Sequence, residues 1–161
     1  MNLEYFHLID RIADLNVGER TITVEANVPE KSTIFEGHFP GFPLMPGVLL
    51  IEAMAQTSGW LVIAMNKFER MPFLAAVKEA KMRTFVTPGE QLMIEASIVH
   101  EGSGFAMTAV KVSAKGKMVC NSTLTFRHVP FPHPDLRGHM ETMAQRIGFP
   151  TEAIAEERNN G

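Results

Sequence analysis

Two ionisable side chains stand close together in the sequence in settings that suit acid–base chemistry. His38 lies in a segment rich in proline and glycine, residues 36–46 (EGHFPGFPLMP), and Glu52 is the one charged residue of residues 47–65 (GVLLIEAMAQTSGWLVIAM). A carboxyl group in apolar surroundings is costly unless it is paired or protonated. A histidine and a carboxyl group that exchange protons with a substrate are typical of general acid–base catalysis. His38 and Glu52 are therefore the candidate catalytic residues, although the spacing alone equally allows a plain proline-rich connection with a satisfied surface histidine.

The element before Glu52 must hold the histidine in place. Three prolines remove backbone donors and fix φ, so the loop around His38 is expected to be stiff. Proline favours the first turn of a helix, which predicts a long helix starting at Pro46 or Gly47. Neither Leu44 nor Met45 has a side-chain oxygen that could cap it. The first N–H groups are then free to bind a carbonyl oxygen that gains negative charge, or are satisfied by water or another backbone segment.

The predicted helix is apolar on all sides, which indicates a helix surrounded by protein. Residues 47–65 approach the length of a membrane span. Glu52 and the amide and hydroxyl groups within them favour instead a helix that the sheet of a soluble protein buries. Gln56 lies one turn beyond Glu52. It orients that carboxyl group or serves only as a packing amide, and the spacing allows both.

The rest of the chain predicts strands that wrap around this helix. Residues 21–28 alternate apolar and polar side chains, as a half-buried strand does. Similar strands are predicted at residues 92–99, 105–113 and 117–126, the last with Met118, Cys120, Ser122, Leu124 and Phe126 on one side, whereas residues 73–86 allow strand or helix, and residues 3–14 suggest a short amphipathic helix. One long helix followed by antiparallel strands gives an α+β fold.

Composition narrows the classes of function. The 161 residues carry a net charge of −3 and no dense basic run, which argues against a nucleic-acid-binding protein. The single cysteine and the lack of a signal-peptide pattern at the start favour the cytoplasm.

Composition changes near residue 127, so we expect a domain at residues 1–127 and a C-terminal extension at 128–161. The extension is rich in proline and histidine, with a short helix at 140–147 and a frayed end at 153–161. A metal site at His128, His133 and His139 is conceivable, but no cysteine or acidic pattern supports it, and we expect no metal.

The segment GHFPGFPLMPGVLLIEAMAQ, residues 37–56, closely resembles the signature of FabZ-type 3-hydroxyacyl-acyl-carrier-protein dehydratases. It matches the signature of that family at every fixed position. The resemblance implies a hot-dog fold, a curved antiparallel sheet around one long helix. It also implies a homodimer, with a trimer of dimers left open, whose sites take His38 from one subunit and Glu52 from the other. The related FabA type has Asp at the carboxylate position, so Glu52 points to the FabZ branch.

The reaction implied is dehydration of a (3R)-3-hydroxyacyl thioester to a trans-2-enoyl thioester in type II fatty-acid synthesis. Neutral His38 would take the C2 proton, protonated Glu52 would help the hydroxyl leave as water, and the Gly47 N–H would bind the thioester carbonyl. Leu44, Phe39 and Ala75 are candidate walls of an acyl tunnel, although core packing explains them as well. The substrate would arrive on the phosphopantetheine of acyl carrier protein, with no other cofactor.

Some residues depart from the family pattern. Residues 5–12 keep only the end of the usual N-terminal segment, Lys78 stands where Asp is frequent, and the extension has no counterpart in short members. These departures bear on chain-length preference and carrier docking. Two alternatives stay open: a hot-dog acyl-thioester hydrolase or acyl-CoA hydratase, and a non-catalytic acyl-binding partner. The intact His38 and Glu52 pair argues against the second.

Overall fold

The computed structural model describes residues 1–150 and shows one long helix surrounded by strands. A short 3₁₀ turn at Leu3–Tyr5 comes first. The strands are β1 (Arg11–Asn16), β2 (Thr21–Asn27), β3 (Met71–Met82), β4 (Gln91–Gly102), β5 (Phe105–Ala114) and β6 (Lys117–Val129), and the helices are α1 (Thr33–Gly37), α2 (Gly47–Met65) and α3 (Pro134–Arg146).

The six strands form one antiparallel sheet in the order β1-β2-β4-β5-β6-β3. Helix α2 contacts every strand from β2 to β6, so the sheet curves around it. This is the α+β arrangement that the sequence predicts. Strands β1 and β3 lie at the two edges of the sheet, and β3 therefore has one side without a strand partner among residues 1–150.

Helix α2 forms the centre of the core because apolar side chains surround its axis. Thirteen of its residues are buried, and among them Ser58 accepts a hydrogen bond from Thr108 Oγ1 of β5 at 2.9 Å. By length and composition α2 is apolar enough to cross a membrane, but 72% of its most apolar window is buried inside the protein. A core helix passes the same test, so α2 is assigned to the core.

The predicted strands are confirmed, and the ambiguous residues 73–86 are resolved as strand β3 up to Met82. In β2, Ile22, Val24 and Ala26 face the core, as their alternation indicates. The prediction for Met118 is wrong. Because the β5–β6 register shifts at Ser113, Val119 is buried in its place and Met118 is 41% exposed.

The predicted helix at residues 3–14 is also wrong. After the 3₁₀ turn the chain extends into β1, which pairs with β2. Leu8 and Ile9 are buried there, and the Asp10 carboxylate accepts a hydrogen bond from the Asn27 N–H at 2.6 Å. Tertiary pairing with β2 overrides the helical spacing of the apolar residues. Helix α1, which the sequence pattern did not indicate, begins where Ser32 caps the Ile34 N–H.

The extension carries α3, which starts six residues before the predicted helix at 140–147. Its N-cap is His133, whose Nδ1 accepts from the Asp135 N–H at 3.2 Å. Within residues 1–150 no group of three or more His, Cys, Asp and Glu side chains is placed to hold a metal ion. The predicted frayed end at 153–161 lies outside the described residues.

Candidate active site

The loop after α1 fixes both the position and the tautomer of His38. The His38 N–H donates to the Ile34 carbonyl at 3.1 Å, and its own carbonyl accepts from the Leu44 N–H at 2.8 Å. The ring nitrogen Nδ1 lies 3.0 Å from the Leu44 carbonyl oxygen. Because a carbonyl oxygen can only accept, Nδ1 carries the proton, and Nε2 of the neutral ring is left as the basic nitrogen. The loop therefore presents a proton acceptor in a defined orientation.

The same loop is closed on itself and is hydrogen-bonded to the segment between β3 and β4. Phe39 and Phe42 exchange backbone hydrogen bonds of 3.1 and 2.9 Å, and the Met45 N–H donates to the Val86 carbonyl at 2.8 Å. The Phe39 ring stacks on the imidazole of His38 with centroids 4.5 Å apart. These backbone hydrogen bonds restrain the loop in addition to its prolines.

Helix α2 begins at Gly47, as predicted, and it begins without a side-chain cap. Pro46 occupies the N-cap position with φ −59° and ψ 132°, and within residues 1–150 it provides no side-chain cap hydrogen bond. No acidic residue lies in that turn either. The positive end of the helix dipole therefore faces the region after the histidine loop with its N–H donors uncapped by side chains.

Glu52 is half-buried, and a single amide side chain links it to the N-terminal segment. Gln56 Nε2 donates to Glu52 Oε1 at 3.2 Å and to the Phe6 carbonyl at 2.7 Å, and Gln56 Oε1 accepts from the Leu8 N–H at 3.2 Å. The two roles considered for Gln56, orienting the carboxyl group and packing the helix, are thus both present in the geometry. Its part in catalysis stays a prediction.

Glu52 opens onto a cavity of about 290 Å³ that follows one face of α2. The helix contributes residues at intervals of three and four, from Glu52 to Ile63, a distance of about 16 Å along the helix axis. The remaining wall comes from β3, β6 and α3. In full, the lining residues are Glu52, Ala55, Gln56, Gly59, Trp60, Ile63, Pro72, Leu74, Phe126, Leu136, His139, Met140 and Met143. The cavity is an apolar chamber with one acidic group on its wall.

One chain alone does not bring the two candidate catalytic groups together. Within residues 1–150, no hydrogen bond or ion pair joins His38 to Glu52, and His38 does not line the cavity beside Glu52. Large apolar side chains are exposed around the histidine loop and along β3: Phe39, Phe42, Val48, Phe73, Val77, Met82 and Phe85. We call these seven residues the apolar face.

The three predicted tunnel walls lie away from this cavity in the single chain. Leu44 is half-buried and holds His38 through its carbonyl, and Phe39 is 53% exposed against the histidine ring. Ala75 is exposed on β3, at an irregularity where its neighbours Leu74 and Ala76 pair with β6 but it does not. Their role as tunnel walls stays a prediction.

Sequence reasoning missed the cavity residues of α3. Leu136, His139, Met140 and Met143 are spaced as residues on one face of a helix, which is the signal that could have indicated them. The segment was interpreted as a separate extension, so its apolar face had no assigned partner. Burial, together with the Arg146 and His139 charges, lowers the pKa of His7, whose Nδ1 lies 2.6 Å from Arg146 Nη1 of α3.

Comparison with known proteins adds a family. The model of the FabA-like domain family matches residues 1–123. A 3-hydroxyacyl-acyl-carrier-protein dehydratase FabZ of Lactiplantibacillus plantarum is 40% identical over 119 residues, covering 73% of this chain and 80% of the relative. The enzyme of the same name from Listeria monocytogenes is 37% identical over 125 residues, covering 75% and 84%.

Solved structures share the fold at much lower identity. The protein PA5202 of Pseudomonas aeruginosa superposes with a TM-score of 0.62 at 20% identity, covering 78% of this chain and 91% of that one. A hypothetical thioesterase of Streptococcus pneumoniae, solved with coenzyme A, gives a TM-score of 0.60 at 18% identity, covering 74% and 88%. At this identity the likeness concerns the fold alone, and it confirms the hot-dog architecture.

Proposed function

Because this chain belongs to the FabA-like domain family, we propose that it removes water from (3R)-3-hydroxyacyl chains carried by acyl carrier protein in fatty-acid synthesis. The observation that carries the proposal is the tautomer of His38: Nδ1–H is held by the Leu44 carbonyl at 3.0 Å, and Nε2 is left as a base. The relatives at 37–40% identity bear the name of this dehydratase.

The reaction follows from three groups of this chain. His38 Nε2 takes the proton from C2 of the acyl chain, and the charge that develops on the thioester oxygen is stabilised by the Gly47 N–H at the start of α2. The C3–O bond breaks as the C2=C3 bond forms, and protonated Glu52 gives its proton to the departing hydroxyl, which leaves as water. The proton on His38 then returns to Glu52 through solvent. Each proton transfer contributes roughly 10²–10⁴ in rate, and the oxyanion donor roughly 10²–10³.

We propose that each site is built from two copies of the chain. His38 does not line the cavity of its own Glu52, so a second copy must supply the missing member. Among the described residues strand β3 has a free edge, and the apolar face lies on and just after β3 and around the histidine loop. An unpaired edge beside exposed aromatic residues favours pairing with a second sheet. The homodimer is the minimal assembly, and a trimer of dimers would repeat the same interface.

The proposed chemistry consists of proton transfers that the side chains perform, with the acyl chain carried on the phosphopantetheine of acyl carrier protein. No metal or other cofactor takes part in these steps, and we place the reaction in the cytoplasm. A hydrolase is less well supported, because the thioesterase structures share 18% identity or less, whereas the dehydratases share 37–40%.

Two variants test the function and the shared site together. We expect His38→Ala and Glu52→Gln each to lower the rate of enoyl hydration by roughly 10²–10⁴. The matched controls are His100→Ala and Glu69→Gln, which change an exposed histidine and an exposed acid away from the site. Mass spectrometry of the products separates an enoyl thioester from the free thiol that a hydrolase would release. A normal rate in either catalytic-site variant contradicts the assignment.

Mixing the two inactive variants then tests the geometry. After subunit exchange at equal amounts, about half of the dimers are mixed, and each mixed dimer has one site with both groups intact. We therefore expect recovery of about a quarter of the wild-type activity. No recovery after exchange has been demonstrated by mass spectrometry would contradict a site shared between subunits.

A further inference from the structure

Helix α3 forms one wall of the cavity that Glu52 opens onto. Leu136, His139, Met140 and Met143 follow one another at intervals of three, one and three residues, and all four line that cavity. The family model ends at residue 123, so this wall lies beyond the region that the family shares. The cavity therefore has a side within the matched residues, formed by α2 and β3, and a side beyond them, formed by Phe126 of β6 and by α3.

The added wall is fixed to the core. Ala144, Ile147 and Phe149 are buried, and the Phe149 ring lies 5.7 Å from that of Trp60 on α2. The Ile147 carbonyl accepts a hydrogen bond from the Ile12 N–H at 2.8 Å. The C-terminal end of α3 is therefore anchored to the core by burial and by a backbone hydrogen bond to β1.

Bulky leucine and methionine side chains of α3 limit the size of the molecule that the cavity can hold. Leu136, Met140 and Met143 line a cavity of about 290 Å³, near the lower end of the range for small-ligand sites. The apolar lining suits a hydrocarbon chain, and the carboxyl group of Glu52 on its wall places the reacting carbons of that chain at one side.

We propose that α3 sets the length of the acyl chain that the site accepts, by closing the cavity along α2 so that straight chains of medium length fit and longer ones do not. This inference rests on the proposed dehydratase function. Each methylene that is buried or excluded changes binding by about fourfold. A wall that excludes several methylenes therefore discriminates strongly between a medium and a long chain.

Two substitutions with opposite effects test the proposal. Met140→Ala removes bulk from the wall and makes room for two or three methylene groups, so we expect the ratio of kcat/KM for 3-hydroxyhexadecanoyl over 3-hydroxyoctanoyl carrier protein to rise about tenfold or more. Gly59→Ala adds a methyl group on the opposite wall. A Cβ at Gly59 would lie 3.7 Å from Pro72 Cγ, an ordinary contact, so the backbone need not move. We expect the same ratio to fall about fourfold.

A control variant and the possible outcomes distinguish the proposed role of α3 from the proposed dehydratase function on which it rests. Gln145→Ala changes an exposed residue of α3 that does not line the cavity, and it should leave the ratio unchanged. If the wild-type protein dehydrates neither substrate, the proposed function fails. If the wild-type protein is active and both Met140→Ala and Gly59→Ala keep its kcat/KM ratio, the proposed role of α3 is overturned while the proposed function stands. Should Met140→Ala not fold, Gly59→Ala decides, because alanine favours a helix interior over glycine.

Discussion

Replacing Gln56 with methionine should damage both the stability and the chemistry of the protein. The amide of Gln56 makes three hydrogen bonds, to Glu52, to the Phe6 carbonyl and from the Leu8 N–H. Methionine keeps a similar length and makes none of them. Leu8 is fully buried, so its N–H would lose its partner where water does not reach.

The size of the stability effect follows from these groups. An unsatisfied buried N–H costs about 1–3 kcal/mol, and the lost bond to Phe6 adds about 1 kcal/mol, which gives about 2–4 kcal/mol in the free energy of unfolding. For a chain of this length the midpoint of thermal unfolding should fall by about 5–15 °C. Because Glu52 also loses the donor that holds it, kcat should fall by about 10- to 100-fold with little change in KM.

Thr108→Val is the matched control. It removes the hydrogen bond from Thr108 to Ser58, which also joins α2 to the sheet but lies outside the cavity of Glu52. We expect a loss of about 1–3 kcal/mol in stability and an unchanged kcat. Both variants are assayed well below their unfolding temperatures by enoyl hydration and thermal denaturation. The reasoning is refuted if Gln56→Met keeps the wild-type kcat. It is also refuted if Thr108→Val lowers kcat as much as Gln56→Met does.

Two further predictions concern the helix start and the anchor of α3. Gly47→Pro removes only the N–H donor from a position where helices accept proline, and Pro46 already has a ψ of 132° that suits a following proline. We expect kcat of Gly47→Pro to fall by roughly 10²–10³ with the fold retained. Gly47→Ala keeps the N–H and should stay active. Equal kcat values for these two variants would exclude an oxyanion role. Burial and the Arg146 charge lower the pKa of His7 below its usual 6.5 in the folded state, so the unfolded chain binds more protons there. The free energy of unfolding should then decrease as pH drops below 6.5, and it should decrease less in His7→Gln. Urea denaturation between about pH 7.5 and 5 measures this difference. The same pH dependence in both proteins would contradict this.

Local patterns were sufficient where a segment's own residues determine its structure. The uniformly apolar residues 47–65 favoured a central helix, Pro46 and Gly47 marked its first turn, and the alternation in β2 predicted both the strand and which side chains face the core. They failed where partners distant in the chain decide. Residues 3–14 have helical spacing, yet pairing with β2 extends them, and a register shift against β5 turns Met118 outward.

The residues proposed for the chemistry lie in one contiguous segment, whereas those proposed for chain-length specificity lie far apart in the chain. The segment of residues 37–56 contains a rigid histidine, an uncapped helix start and a carboxyl group one turn into that helix, because spacing along a loop and a helix determines which groups such a segment can offer. Tertiary structure alone decided that Gln56 ties Glu52 to the N-terminal segment and that α3 closes the cavity beside it. Both contacts join residues far apart in the chain, and their geometry depends on how the whole sheet curves around α2.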